Sequence, residues 1–436
     1  MASQIGVRLP RLCLPRPGID LSKWAVVACD QYTSEPQYWQ QVTRAVGDAP
    51  STLHLIFPET YLEASDALAR IGQIQDTMRR YLAQGLLHDH HGAVYVERSV
   101  GGRTRRGLML ELDLEHYDFD SRSTSLIRPT EGTIVERLAP RIAVRSGAEL
   151  ELPHILVLID DPLHTVIEPI GAARAQLPAL YETDLMQGGG HVAGYAVPRD
   201  RAEAALSALA ALASPGAFAA RYGVAADTPP MLFAVGDGNH SLATAKSIWQ
   251  RMKGTVDAHH PSRYALVEVE NIHDAALAFE PIHRLLFGVG ADVRQALAQT
   301  FGSRLSVTDV PSALAMRELL RAKGGAAQTA GLIGPGERFA VIGITEAPSA
   351  LAVGTVQGFI DDWIARGGAT HVDYVHGDDV LQRLATGAGN VGFHLATVAK
   401  GELLRRVVHD GPLPRKTFSM GEANEKRYYV EARRIR

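Results

Sequence analysis

The chain has 436 residues, 46% of them hydrophobic and 21% charged, with a formal net charge of −4. That length suits two or three domains, and the composition is that of a soluble globular enzyme rather than a disordered or fibrous chain. The slightly acidic balance gives no bulk attraction to nucleic acid or anionic membrane, and no apolar run is long enough to span a bilayer.

Two cysteines, Cys13 and Cys29, are too few and too oddly spaced for a zinc site or a disulfide framework, as fits a reducing cytoplasm. The first 18 residues are basic but lack a long apolar core, so no secretory signal is expected.

In chain order, residues 24–28 predict a strand. Residues 36–47 predict a helix opening on proline, and 52–57 a second strand. The clearest helix is 63–84, where Leu68, Ile71, Ile74, Met78 and Leu82 recur at spacings of three and four before Gly85. His88-Asp89-His90-His91 has metal-binding residue types, but consecutive side chains cannot all face one ion. It reads as a solvated turn. Residues 93–97 and 107–114 predict a hairpin around Gly101-Gly102.

Residues 127–145 hold the first chemical cluster. Thr130 can cap a helix with Glu131 in its first turn. Arg128 lies close by, and Arg137, Arg141 and Arg145 are spaced by four along one helical face. Planar guanidinium donors match phosphate oxygens; the alternative is a solvated basic face. Residues 155–159 then read as a buried strand that delivers Asp160-Asp161 to its C-terminal end, where open α/β sheets place ligand groups. Two adjacent carboxylates suit Mg²⁺; the alternative is an Asp-Pro turn with Pro162. Residues 201–213 predict a helix.

The most informative stretch is 231–246. Residues 231–235 read as a buried strand that ends in Gly236-Asp237-Gly238. Asn239 is a good N-cap for a helix through Leu242, Ala245, Ile248 and Trp249. Unpaired N–H groups and the positive end of the helix dipole then define an anion site, to which Asp237 and His240 add titratable groups. The spacing is not that of a Walker P-loop. The alternative is a plain turn that uses glycine for steric reasons.

A strand follows at 264–269. Residues 279–284 place Glu280, His283 and Arg284 near a turn, with His283 able to act as acid or base. Helices are expected at 293–300 and 313–322, and a Gly/Ala-rich hairpin or loop at 322–338. Regular elements resume at 339–343, 356–365, 390–396 and 400–408. The tail, 413–434, sets Lys416, Lys426, Arg427, Arg433 and Arg434 among Thr417, Ser419 and Glu422, and 428–433 reads as a docking strand. Irregularly mixed strands and helices without an internal repeat give an α/β to α+β fold.

Eight segments carry a resemblance that spans nearly the whole chain. They are CDQYTSEPQYW, STLHLIFPETYL, RPTEGTIVERLAPR, ELPHILVLIDDP, GGGHVAGY, GDGNHSLATAK, NIHDAALAFEPIHR and LPRKTFSMGEANEKRYYVEARRI. Together they resemble domain-of-unknown-function family 1015, whose members include or resemble free serine kinases of the ParB/sulfiredoxin-like fold. The resemblance implies a ParB/sulfiredoxin-like nucleotide-binding core at 121–290. That core lies between an N-terminal α/β region, 1–120, and a C-terminal α/β region, 291–436, whose tail packs back toward the site.

In related proteins a Gly-His-His-Arg-like turn binds nucleotide phosphates. Here it is Asp237-Gly238-Asn239-His240-Ser241, with Asn239 for one His and Ser241 for the Arg; Arg137, Arg141 or Lys246 would supply the missing charge. Thr130-Glu131 matches a His-Glu-x-Thr pattern that leaves Glu131 and Thr133, and His283-Arg284 matches Pro-x-His-Arg.

The implied activity is a phosphotransferase using ATP or ADP with Mg²⁺ on a small hydroxylated metabolite, serine or a serine-like compound. Glu131, Asp237, His240 and His283 are the catalytic candidates. Gly236, Gly238, Asn239, Ser241, Arg137, Arg141, Arg284 and Lys416 are the nucleotide-binding candidates, and Asp160 and Asp161 the metal ligands. The alternative is a non-catalytic nucleotide- or phosphate-binding regulatory protein. No nucleic acid or membrane partner is expected; a cytoplasmic location is, and a homodimer is allowed for.

Overall fold

Strand pairing across long stretches of sequence organises the protein. The computed structural model describes residues 5–436 except 34, 63, 134–137, 153 and 323–327. Two compact units emerge: Met1–Ala278 with Lys400–Leu413 and Gly421–Arg436, and Phe279–Ala399 with Pro414–Met420. The architecture is mixed α/β.

The first unit is built on a nine-stranded sheet. Its order is Ile127–Pro129, Phe233–Asp237, Leu156–Ile159, Tyr264–Asn271, Arg103–Asp113, Val94–Val100, Gly190–Ala196 and Ala179–Leu185, with Val7–Arg8 also paired to Arg103–Asp113. Strands from 1–120 and 121–290 thus share one sheet, where a boundary near 120 was expected. Pairing is parallel at 127–129/233–237 and at 264–271/156–159, and antiparallel elsewhere. Leu108, Leu110, Leu112, Val157, Ile159, Phe233, Val235, Val267 and Val269 share one core with Leu242 and Trp249 of the helix Asn239–Met252. Each fully buried side chain of this kind stabilises by about 1.5–3 kcal/mol.

Several local elements differ from expectation. Residues 24–28 are buried yet form no strand; Val27 makes one isolated bridge, to Arg427. The second expected strand, 52–57, begins as a 3₁₀ turn, Thr52–Leu55. The Ser51 side chain accepts from Leu53 N and so favours the turn. His88–His91 belong to a strand, Leu87–His91, paired with Arg11–Pro15, and not to a solvated turn. Residues 428–432 are buried without forming a strand; of the expected docking strand, only Arg433 is in one, Arg433–Arg434, paired with Leu150–Glu151. The helix at 63–84 is observed as Ala67–Ala83.

The second unit has a seven-stranded sheet ordered Leu305–Val310, Arg338–Ile344, Gln328–Gly334, Val391–His394, Phe279–Phe287 and His371–His376, with Phe418–Met420 paired to Phe279–Phe287. Residues 279–284 therefore lie in a strand, where a turn was expected. The helix Ala352–Ala365 contributes Val356, Phe359, Ile360 and Trp363 to one core. No single helix among the described residues is long and apolar enough to cross a membrane.

One face of the first sheet is buried but charged. Arg105 Nε lies 2.6 Å from Glu270 and Arg98 Nε 3.5 Å from Glu268. The tail closes this face: Arg98 sits over the Tyr429 ring, and Tyr181 OH donates to Glu431 at 2.6 Å. Burial, opposed by the Tyr181 hydrogen bond, pushes Glu431 up to about 7. A carboxyl raised on folding stabilises fully below its unfolded pKa and loses that contribution as pH rises through the folded value. Glu431→Gln is therefore expected to raise the unfolding midpoint by a few degrees at pH 8.5. Near pH 4.5 it should change it little, which thermal melts across pH will check.

Candidate functional site

The site begins where two parallel strands end together. Ile127–Pro129 and Phe233–Asp237 pair with Pro129 opposite Val235, so Glu131 and Asp237 emerge at the same sheet edge. Thr130 is buried and anchors this edge, its N–H and hydroxyl both donating to Val235 O at 3.3 and 2.6 Å. Leu413 N donates to Thr130 O at 2.8 Å, bridging the segment at Glu131.

The turn after Phe233–Asp237 is tight. Gly238 has φ +77°, and a Cβ there would lie 3.0 Å from Ile155 Cα. Asp237 Oδ1 accepts the Gly238 N–H at 2.9 Å. Gly238, not Asn239, occupies the N-cap of the following helix, with no side-chain cap. A helix N-terminus of this kind presents N–H groups and the positive end of its dipole to an anion. Asn239 Oδ1 is shielded from solvent without a hydrogen-bond partner.

Lys426 enters this edge from the tail. Its Nζ lies 3.0 Å from Asp237 Oδ2, and its side chain is 13% exposed. Burial disfavours the ammonium, but Asp237, Asp30 and Glu131 outweigh that cost and raise its pKa above the ordinary 10.5. Asp237 is its direct partner, and Asp30 and Glu131 act on it electrostatically. Lys426 stood out in the sequence only as part of a basic tail, and Asp30 not at all.

The helix Leu138–Ser146 packs against Asn239–Met252 and brings Arg141 close to Ser241 around one cavity. Arg141 is paired with Glu59, and Arg145 with Glu151 at 2.5 Å. Arg137 lies outside the described residues. Buried Arg128 donates to Ser125 O, Thr124 O and Pro229 O, a structural role. Lys246 donates to Leu114 O at 2.7 Å. Ser241 Oγ lies 3.3 Å from His154 Nε2, and Thr244 of the same helix donates to His240 O at 2.7 Å.

Asp160 and Asp161 are not part of this edge. Leu156–Ile159 runs antiparallel to Phe233–Asp237, with Leu156 opposite Asp237, so the start of that strand faces the turn and its C-terminal end points away. Asp161 is fully buried and accepts from Thr165 N at 2.6 Å and Val166 N at 2.9 Å. Asp160 accepts from Tyr222 OH at 2.7 Å and meets His273 Nε2 at 2.7 Å. The two carboxylates do different work and do not converge.

His283, Arg284 and Lys416 belong to the second unit. Arg284 is fully buried and donates to Gln357 Oε1, Ile282 O and Arg415 O. Among the described residues, the one grouping with metal-ligand geometry is His283, Asp378 and His394. Leu395 N donates to His283 Nδ1 at 3.1 Å, which leaves the ring proton on Nε2, 3.0 Å from Asp378 Oδ1. Burial, above all, lowers the His283 pKa and favours this neutral tautomer. A metal at Nε2 would need that proton on Nδ1 instead, so the trio is a hydrogen-bond relay rather than a prepared cation site.

The signature of a family described as protein of unknown function (DUF1015) matches residues 13–362. The chain belongs to that family. No curated protein matches it. Among solved structures it is similar to a free serine kinase in complex with AMP, at 12% identity and TM-score 0.39, covering 74% of this chain and 91% of that one. It is also similar to a conserved hypothetical protein from Pyrococcus furiosus, at 12% identity and TM-score 0.36, covering 72% and 90%. A third similar structure is SbnI from Staphylococcus aureus, truncated at its C-terminus, at 12% identity and TM-score 0.29, covering 63% and 83%.

Proposed function

We propose that the protein is a nucleotide-dependent phosphotransferase acting on a small hydroxylated metabolite, with serine or a serine-like compound as the candidate the family resemblance implies. The reading places a ParB/sulfiredoxin-like core in the first unit and the phosphates of ATP or ADP at the Gly236–Ser241 turn. The observation that carries it is the convergence of Glu131, Asp237 and Lys426 on one sheet edge beside an N-terminus without a side-chain cap.

A divalent cation between these carboxylates and phosphate fits this edge. Asp237 and Glu131 offer the hard oxygen donors that Mg²⁺ prefers, and the shielded Asn239 Oδ1 adds another acceptor. The ion would neutralise phosphate charge. Glu131, His240 or Asp237 would accept the acceptor hydroxyl's proton, while Lys426 and the helix N–H groups orient the phosphates. Phosphoryl transfer rests mainly on such positioning and charge. A role for His283 and Arg284 stands as a proposal of the family pattern alone.

Incubation with ATP or ADP, MgCl₂ and a panel of hydroxy amino acids and hydroxy acids is expected to give a phosphorylated product visible by ³¹P NMR. Absence of product from every acceptor with both nucleotides sinks the phosphotransferase reading. The second reading, a nucleotide-binding regulator, is favoured by Ser241, whose hydroxyl stands where an Arg would supply charge. Nucleotide-induced thermal stabilisation without turnover would select it.

A further inference from the structure

A cavity of about 140 Å³ opens within the first unit beside the phosphate turn. At one water per 10–15 Å³, it has room for on the order of ten non-hydrogen atoms. Its walls are mostly apolar, with Leu55, Phe57, Met78, Val144, Leu150 and Leu152 prominent. The charged side chains at its margin are already matched, Arg141 to Glu59 and Arg145 to Glu151. A free amino acid would have to open one of these pairs to seat its ammonium or carboxylate.

One end of the cavity is polar. His154 and Ser241 line it together, Oγ to Nε2 at 3.3 Å, and the imidazole packs edge-on against Tyr428 at 5.0 Å. His154 Nδ1 is shielded from water and has no hydrogen-bond partner. The Ser241 hydroxyl and the His154 imidazole are the polar groups that this end offers a ligand. Ser241 belongs to the first turn of the helix that starts at the phosphate turn, so a hydroxyl seated there would be next to bound phosphate.

We propose that this cavity is a binding pocket for a hydroxylated compound with an apolar body larger than serine, its hydroxyl held by His154 and Ser241. Calling that compound the phosphoryl acceptor rests on the phosphotransferase reading. The pocket itself does not.

Titration calorimetry without nucleotide, using hexan-1-ol, propan-1-ol, hexyl methyl ether and L-serine as probes, tests the pocket. Hexan-1-ol is expected to bind about tenfold more tightly than its ether, one hydrogen bond's worth, and at least tenfold more tightly than propan-1-ol or L-serine. Val144→Trp, which fills the cavity from an outer helix, should abolish hexan-1-ol binding while the unfolding midpoint holds. His154→Leu should keep the binding but erase the preference over the ether, which a purely structural histidine would not do.

Absence of saturable hexan-1-ol binding to folded wild-type protein overturns the proposal. Equal binding by a folded Val144→Trp variant, or an alcohol preference unchanged in His154→Leu, also overturns it. Stabilisation by ADP is scored separately. If it persists while the alcohols fail, the pocket is wrong and the nucleotide site stands. If it is absent while hexan-1-ol binds, the pocket stands and the phosphotransferase reading falls.

Discussion

Gly238→Ala is expected to lower the unfolding midpoint by roughly 5–10 °C and to remove stabilisation by ADP. The φ of +77° at this position costs an L-residue about 1–2 kcal/mol. The added Cβ would also sit 3.0 Å from Ile155 Cα, a backbone atom that cannot swing aside. Together these suggest about 2–3 kcal/mol, which for a unit of this size gives a shift of that order. Any displacement of the turn also misaligns the helix N–H groups that would meet phosphate. Ligand at a hundredfold excess over its Kd stabilises by about 2.7 kcal/mol, so its loss is measurable in the same scan. Gly216→Ala, in the helix Pro215–Tyr222 and in open space, serves as control and should hold or slightly raise the midpoint. A Gly238→Ala protein that melts with wild type and still responds to ADP would refute the turn's assigned role.

The second large effect is expected at Lys426. Removing one partner of a buried ion pair leaves the other uncompensated, typically at a cost of 3–5 kcal/mol. Lys426→Met should fall in that range because it removes the ammonium 3.0 Å from the largely buried Asp237 carboxylate. Adding Asp237→Asn to Lys426→Met should recover part of the loss, so the double variant should cost less than the sum of the singles. The sign with pH follows from the raised lysine pKa. Its contribution is fully present below the unfolded value near 10.5 and is lost as pH rises through the folded value above it. The gap between wild type and variant should therefore be constant from neutrality to about pH 10 and close only in stronger alkali. Additive costs in the double variant, or a gap that closes below pH 9, would contradict this electrostatic account.

The strand, turn and helix around Gly236 were legible because their signals are local. The apolar run, the glycines and the amphipathic helix lie within one short stretch, and the structure shifts the strand by two residues, to Phe233–Asp237, and the cap from Asn239 to Gly238. Residues 24–28 and 52–57 were apolar enough for strands, but the first makes only the short bridge at Val27 with Arg427 and the second opens as a 3₁₀ turn. The Asp160-Asp161 expectation assumed that neighbouring strands point the same way. In a mixed sheet the direction depends on pairing, and the antiparallel register of Leu156 with Asp237 sends those carboxylates to the far end. The same register explains why His154, just before that strand, reaches Ser241. A reader alert to strand direction could have found it from the histidine's position. Lys426 against Asp237 joins segments separated by the second unit's sequence, and no local pattern announces such a contact.

The tail's place in the first unit bears on how the protein is made. Trp24 donates its indole N–H to Val430 O, Cys13 exchanges backbone hydrogen bonds with Ala432, and Arg433 ties Glu111 to Glu151. All three links need residues that leave the ribosome only after 279–399 have been synthesised. The first 278 residues alone lack the tail residues that cover their charged sheet face and the lysine that pairs with Asp237. The first unit is therefore completed only by chain that follows the second unit in sequence.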